Sequence, residues 1–295
     1  MSRPAREVEI DEALVHRLLA EQHPDLAPLP LSYVDTGWDN AIWRVGDELA
    51  VRLPVRAVAV PLVANEQRWL PELAPGLPLP VPAPVRTGVP SAAFGWPWSV
   101  VPWLGGAPGD RTPATDGPTS AERLGRFLGA LHRPAPPDAP ANPWRGVPLG
   151  QRADTFAERL RALAAHVDAP VLQAVWEDAM DAPAFDGAPL WLHGDLHGGN
   201  VLVEDGALAA VVDFGDVCAG DPATDLAAGF GLLPSGSWLA FAAAYGPVTD
   251  DLLRRARGWA VLFGLLEIGI GLEDPPSYLA MGMRTIERVI DSVRR

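Results

Sequence analysis

The chain has 295 residues, 48% apolar and 20% charged, an ordinary globular composition long enough for one large domain or two lobes. A formal net charge of -14 removes the basic face that nucleic acid or an anionic membrane would need; it suits a cationic small-molecule partner, and equally solubility alone. All 23 basic residues are Arg, so a Lys-containing phosphate loop and Schiff-base chemistry are excluded, and the single Cys218 excludes an intrachain disulfide or a multi-Cys zinc site.

In chain order, Asp11 caps an expected helix carrying Leu14, Val15, Leu18 and Leu19 and ending before Pro24. Short strands follow: Leu31 to Asp35, a loop Thr36 to Asn40, Ala41 to Val45, a Gly46-Asp47 turn, and Leu49 to Leu53. Val63 to Leu73 has helical spacing and includes Glu66. More than half of the 32 prolines lie between Pro71 and Pro148, predicting extended chain, with a buried strand at Trp98 to Leu104. Gly105-Gly106 marks the expected boundary between an N-terminal unit, 1–104, and a C-terminal unit, 105–295. Ser120 is the expected cap of a helix running through His132, and further helices are expected at 154–166, 170–180 and over most of the chain after Asp221. The charged N-terminus lacks the apolar core of a signal peptide. The most apolar run, Gly258 to Leu272, is short and interrupted by Glu267, so the expected location is cytoplasmic, with no membrane partner.

Two segments carry the chemistry. The first is Trp191-Leu192-His193-Gly194-Asp195-Leu196-His197-Gly198-Gly199-Asn200; the second is Val211-Val212-Asp213-Phe214-Gly215-Asp216. The intervening Asp205-Gly206 is a strong hairpin signal, which would bring Asn200 and Asp213 to neighbouring strand ends with Asp195 in the preceding loop. Asn and Asp oxygens suit a hard cation such as Mg²⁺ holding phosphate, and a free Asp facing the same spot can orient an attacking hydroxyl and accept its proton. His-x-Asp-x-His, formed by His193, Asp195 and His197, also allows a zinc hydrolase reading, although the remaining His residues are scattered.

The pattern H-x-D-x-x-x-x-N followed thirteen residues later by D-F-G resembles the catalytic and metal-binding loops of protein-kinase-like enzymes. In the form His-Gly-Asp-Leu-His-Gly-Gly-Asn, with Gly220 to Leu226 after it, the chain is similar to the aminoglycoside phosphotransferase family, which phosphorylates hydroxyls of small molecules including aminoglycoside and macrolide antibiotics. The resemblance runs in outline from Ser32 to Leu272 and is specific between His193 and Leu226. It implies a bilobal α+β fold, with an antiparallel N-terminal sheet and a mainly helical C-terminal lobe. It also implies an ATP- or GTP-dependent phosphotransferase. Carried over by residue, Asp195 matches the catalytic base, Asn200 and Asp213 the Mg²⁺ ligands, and His193 the residue bracing the loop.

Thr36 to Asn40 fall where the family covers ATP with a hairpin, and Arg52 stands where it usually has a phosphate-contacting Lys, with Glu66 as the partner acid. Arg52 and Glu66 by themselves would also suit a surface ion pair. The adenine-facing carbonyl and N–H are assigned to Val101 and Trp103, around Pro102, with a one-residue shift left open. Asp221 and Asp225 are expected to anchor the following helix, and Asp216 to face either way. Glu267 interrupts an apolar run, so it either sits at a helix edge or faces a cleft as a functional acid; Glu273 and Asp274 would make such a cleft more negative, which suits an aminoglycoside-type acceptor on this resemblance. Macrolide or metabolite acceptors share every motif, and Arg52 in place of Lys admits a nucleotide-binding pseudokinase.

Overall fold

The computed structural model describes residues 5–273 and 276–294. Helix α1 (Glu12–Gln22) begins where expected, with the Asp11 carboxylate accepting from the Leu14 N–H at 2.8 Å, and buries Val15, Leu18 and Leu19. Strands β1 (Leu31–Thr36), β2 (Asn40–Val45) and β3 (Leu49–Pro54) form an antiparallel meander, whose second turn is the predicted one, with Gly46 at φ +59°. Helix α2 (Val60–Leu73) starts one turn before its expected position because Pro61 fits a first turn, where no N–H is needed. Strands β4 (Arg86–Gly88) and β5 (Trp98–Pro102) complete a five-stranded sheet ordered β1-β2-β3-β5-β4. Trp98, Val100, Val51, Leu53 and Trp43 form one core with the buried face of α1.

The chain then passes through Trp103 to Gly106 into a second body. Strand β6 (Ala107–Pro108) is followed by α3 (Gly117–Leu131), α4 (Ala153–Ala162), α5 (Ala169–Asp181) and β7 (Leu190–Leu192). A hairpin of β8 (Val201–Glu204) and β9 (Ala207–Val211) turns through Asp205 and Gly206, both at positive φ, as the Asp-Gly pair predicts. Next come β10 (Cys218–Gly220), which pairs with β7, and five helices: α6 (Ala223–Leu226), α7 (Ala228–Leu232), α8 (Trp238–Tyr245), α9 (Asp250–Gly271) and α10 (Pro276–Val293). Helix α3 departs from expectation at its start. Asp116, not Ser120, is the N-cap, since Pro118 fits the first turn; the Ser120 hydroxyl instead accepts from the Leu208 N–H.

Trp191 and Trp259 are core residues, and Trp238 stacks on Phe230 at 4.4 Å. The second half of α2 belongs to this second core: Trp69, Leu70 and Leu73 pack into it, with Trp69 4.9 Å from Trp191. Glu66 therefore rides on a helix clamped between the two bodies, which places it at their junction. Among the described residues no helix is long and apolar enough to cross a membrane.

Candidate active site

The loop from His193 to Asn200 leaves β7 and is shaped by buried hydrogen bonds. Asp225 is fully buried and accepts from the backbone N–H groups of His193 (2.7 Å) and Gly194 (2.9 Å), and its Oδ2 lies 3.2 Å from His132 Nε2. It thus braces the His193–Asn200 loop. Asp221 takes the helix-anchoring role, accepting from the Ala223 N–H at 3.0 Å and pairing with buried Arg255 at 2.7 Å. Gly194 sits at φ +86°, and a Cβ there would come within 2.5 Å of the Asp216 carbonyl oxygen, so the turn requires glycine.

His193 is completely buried. Its Nδ1 accepts from the Asp195 N–H at 3.2 Å and its Nε2 donates to the Val212 carbonyl at 3.0 Å. Both ring nitrogens are thereby consumed in joining the Asp195 loop to the Asp213 strand, which removes His193 as a zinc ligand. His197 Nδ1 accepts from the Gly199 N–H, leaving Nε2 3.4 Å from Asp195 Oδ2. Among the described residues no group of three or more His, Cys, Asp and Glu side chains is placed to hold a metal.

Asp195 is held from three directions: Arg145 Nη2 at 2.7 Å, His197 at 3.4 Å, and Asn200, whose Nδ2 donates to the Asp195 backbone oxygen at 2.8 Å. Burial would raise its pKa, but Arg145 and His197 outweigh that and hold the carboxyl well below its usual range. His197 is shifted upward, since Asp195 and Glu267 overcome the cost of burying a cation. Asp216 is raised by burial and by Asp195, and faces the proline-rich segment, where Asn142 Nδ2 donates to it at 2.7 Å.

Asn200 and Asp213 meet as the hairpin predicts. The Val212 N–H donates to the Asn200 carbonyl at 2.9 Å, and the next residue, Asp213, is held at φ +63° with its carboxylate about half exposed. The Asn200 amide nitrogen is turned toward Asp195, which directs its oxygen the other way. An amide oxygen and a carboxylate are donors of the kind Mg²⁺ takes, which commonly has one or two protein ligands and completes its shell with waters and phosphates.

Arg52 and Glu66 are buried, at 8% and 4% exposure, so they are no surface pair. Arg52 Nη1 donates to Glu66 at 2.7 Å and Nη2 to Asp213 at 3.1 Å, while Glu66 also accepts the Phe214 N–H at 2.9 Å. Burial raises the Glu66 pKa despite Arg52; for Arg52, the two carboxylates overcome the burial cost and raise its own. Thr36 is buried, with its hydroxyl accepting from Tyr33. Asn40 is buried at the start of β2, its backbone oxygen accepting from the Gly37 N–H and its Oδ1 without a hydrogen-bond partner among the described residues. The Arg56 guanidinium fixes the tip of that loop through Trp38 O and Asp39.

The connector departs from the unshifted assignment. The Trp103 N–H donates to the Glu48 carbonyl at 2.7 Å, and Val101 pairs with Ala50, so both face β3 inside the sheet. Alternation along β5 turns the Pro102 carbonyl to the opposite edge from the Val101 groups, in keeping with the one-residue shift that the sequence left open.

A pocket lies against the catalytic loop. His197, Phe263, Glu267, Met281 and Thr285 contribute to its wall. Glu267 lies 3.5 Å from the Thr285 hydroxyl, and burial pushes its pKa up to about 7. Glu273 is exposed beyond this wall, and Asp274 lies outside the described residues. Sequence reasoning missed Arg145, a lone Arg in a proline-rich segment with no periodicity or motif to mark it.

Comparison with known proteins bears on the fold and the family. A family profile described as "Phosphotransferase enzyme family" matches residues 31–259. A viomycin phosphotransferase from Streptomyces vinaceus is 35% identical over 142 residues, 43% of this chain and 39% of that protein, so the match spans well under half of the curated relative. Among solved structures, the GDP and kanamycin complex of the phosphotransferase APH(2")-IIia superposes with a TM-score of 0.68 at 18% identity, covering 94% of this chain and 98% of that one. The macrolide 2'-phosphotransferase MphH from Brachybacterium faecium superposes with a TM-score of 0.59 at 25% identity, covering 93% and 98%. The fold is thus the α+β arrangement of these phosphotransferases, an antiparallel sheet followed by a helical body, and the chain belongs to the phosphotransferase enzyme family.

Proposed function

We propose that this protein transfers the γ-phosphoryl group of ATP or GTP to a hydroxyl of a small cationic antibiotic, of the aminoglycoside type or the viomycin type. The observation carrying this reading is that Asn200 bonds the Asp195 loop through its amide and the strand before Asp213 through its carbonyl, with buried Arg52 bonded to Asp213. Nucleotide would lie under the Thr36–Asn40 loop, its base meeting the Pro102 carbonyl and Leu104 N–H. The lobes then divide at 104/105, and the cytoplasm, which supplies the nucleotide, is the expected location. GDP and kanamycin occupy the APH(2")-IIia neighbour, which supports nucleotide and aminoglycoside as partners.

Mg²⁺ held by Asn200 and Asp213 would neutralise phosphate charge and orient the phosphate groups. Asp195, kept ionised by Arg145, orients the acceptor hydroxyl and takes its proton as the new O–P bond forms. The bond from the γ-phosphorus to the bridging oxygen breaks, and the nucleoside diphosphate leaves. A strongly ionised carboxylate suits a loose transition state, in which aiming the hydroxyl matters more than early deprotonation. Arg52 takes the place of a Lys and ties Glu66 to Asp213, so it sets the Asp213 carboxylate before nucleotide arrives.

Glu267 gives the acceptor pocket a carboxylate partner for an ammonium group, which favours a polyamine over a macrolide, whose surface is largely apolar. The test is incubation with Mg²⁺, ATP or GTP, and separate pools of aminoglycosides, viomycin-type peptides and macrolides, read by mass. A phosphate-sized gain on an aminoglycoside or viomycin-type peptide is the expected result. A gain confined to macrolides overturns the cationic-acceptor assignment. Absence of transfer with nucleotide still bound points to a metabolite acceptor, and absence of nucleotide binding as well favours a pseudokinase.

A further inference from the structure

Segment 133–148 joins α3 to α4 and is tied to the elements that carry the site by bonds independent of the Arg145 side chain. The Ala135 N–H donates to Pro189 O, the Trp191 N–H to Arg133 O, the Ala219 N–H to Pro140 O, and the Asp221 N–H to Gly146 O. The Gly146 N–H donates to the Thr224 hydroxyl at 3.1 Å, and Asn142 donates to Asp216. Gly146 and Gly220 are in backbone contact so close that a Cβ on Gly220 would collide with the Gly146 carbonyl. The segment therefore has its position without Arg145.

What this fixed segment delivers is a desolvated guanidinium. The Arg145 side chain is 19% exposed, its Cζ lies 5.1 Å from the centroid of the Phe263 ring, and its Nε is buried without a hydrogen-bond partner among the described residues. The group leaves water at a cost that a structural role does not require, and its 2.7 Å bond goes to Oδ1 of the one carboxylate assigned to the acceptor hydroxyl. Oδ2 is left on the side of His197, 3.4 Å away, which also lines the acceptor pocket. Asp213 and Asp216 on the following loop and Glu267 on α9 add negative charge around Asp195; Arg52 pairs with Asp213 and Arg284 acts on Glu267, whereas Arg145 and His197 are the cations that act on Asp195 itself.

We propose that Arg145 is a positioning residue for phosphoryl transfer: its guanidinium fixes the plane of the Asp195 carboxylate, with Oδ1 on the loop side and Oδ2 turned to the acceptor pocket. It acts through Asp195 and touches neither nucleotide nor acceptor. This inference rests on the phosphotransferase reading above. A carboxylate free to rotate loses aim at the attacking hydroxyl, and misplacement on the scale of 1 Å costs roughly 10²-fold in rate.

The experiment compares the wild type, Arg145→Ala and Arg145→Lys under Mg²⁺ with ATP and GTP. Viomycin and kanamycin serve as acceptor probes, and water serves as acceptor, read as phosphate release, if neither probe is used. Arg145→Ala should lose about 10²-fold in kcat, with nucleotide Kd and acceptor KM within about threefold of wild type, as expected for lost positioning. Arg145→Lys should recover part of the loss, and millimolar guanidinium ion should restore part of the Ala variant's rate without changing its melting temperature. Arg145→Ala turning over within twofold of wild type overturns the proposal and leaves the phosphotransferase reading intact. The proposal is equally overturned if the rate loss comes with a collapse in melting temperature and responds to neither Lys nor guanidinium. A wild type that transfers to no probe and releases no phosphate from nucleotide overturns the underlying reading, and the proposal with it.

Discussion

Arg52 offers the sharpest test of how the two halves of the molecule are joined. Its Nη1 reaches Glu66 at 2.7 Å and its Nη2 reaches Asp213 at 3.1 Å, both from a side chain that is 10% exposed. Arg52→Met keeps the approximate length and removes the cation. It leaves Glu66 buried with the Phe214 N–H as its remaining bond. Removing one member of a buried pair costs about 3–5 kcal/mol; Glu66 already has a raised pKa and can take up a proton, which puts the expected loss near the lower end, about 3 kcal/mol. Arg52→Lys keeps the charge but has no fork, so it satisfies one of the two acceptors.

Losing a hydrogen bond between charged groups costs about 1.5–3 kcal/mol, and the half-exposed Asp213 places the Lys variant at the low end, roughly 1.5 kcal/mol. Urea unfolding followed by Trp fluorescence measures both. The Met variant carries a further signature. Without Arg52 the folded-state pKa of Glu66 rises above its wild-type folded value, which is itself raised, so the variant's deficit is smallest below the wild-type folded pKa and grows as pH rises from there toward the variant's folded pKa. Both variants unfolding within about 0.5 kcal/mol of wild type, at every pH, would match a solvated surface pair and refute the buried bridge.

Two buried carboxyls give further tests. Asp225→Ala strips the acceptor from two backbone N–H groups of the catalytic loop and from His132; unfolding should show a loss on the order of 3 kcal/mol, and amide exchange at His193 and Gly194 should accelerate. Glu267 has a folded-state pKa of about 7, above its usual value of 4.5, so its contribution to stability is intact below pH 4.5 and is lost as pH rises toward 7. Glu267→Gln should therefore be more stable than wild type at pH 8 and no more stable at pH 4; a constant difference across that range would show that the carboxyl is not desolvated.

Much of the fold and site was legible in the chain because it is written locally. Asp205-Gly206 and Gly46-Asp47 specify their turns by backbone preference alone, and the His193–Asn200 loop announces itself by residue type and spacing. Local rules erred where a neighbour decided the outcome. Ser120 is a good cap by type, but Pro118 allows the helix to start a turn earlier, and Asp116 caps it. The Trp103 N–H is directed by the register of β5 against β3, a pairing between residues about fifty apart that fixes which backbone groups face the cleft. Asp225 reads as a helix anchor by proximity, yet fold closure brings it under the catalytic loop, 32 residues away from His193 along the chain. Arg145 carried no signal at all, because its meaning lies in the single carboxylate that the fold puts beside it.

In the proposed mechanism Asp195 orients a hydroxyl while the nucleotide is held by other residues. The most direct measurement is therefore γ-phosphoryl transfer by Asp195→Asn beside the wild type, with Mg²⁺–nucleotide binding measured on the same samples. The Asn variant keeps the shape of the side chain but loses its charge, so transfer should fall by roughly 10²–10⁴-fold while nucleotide Kd changes little. Transfer by the Asn variant at the wild-type rate, with nucleotide bound equally well, would contradict the assignment of Asp195 and the mechanism built on it.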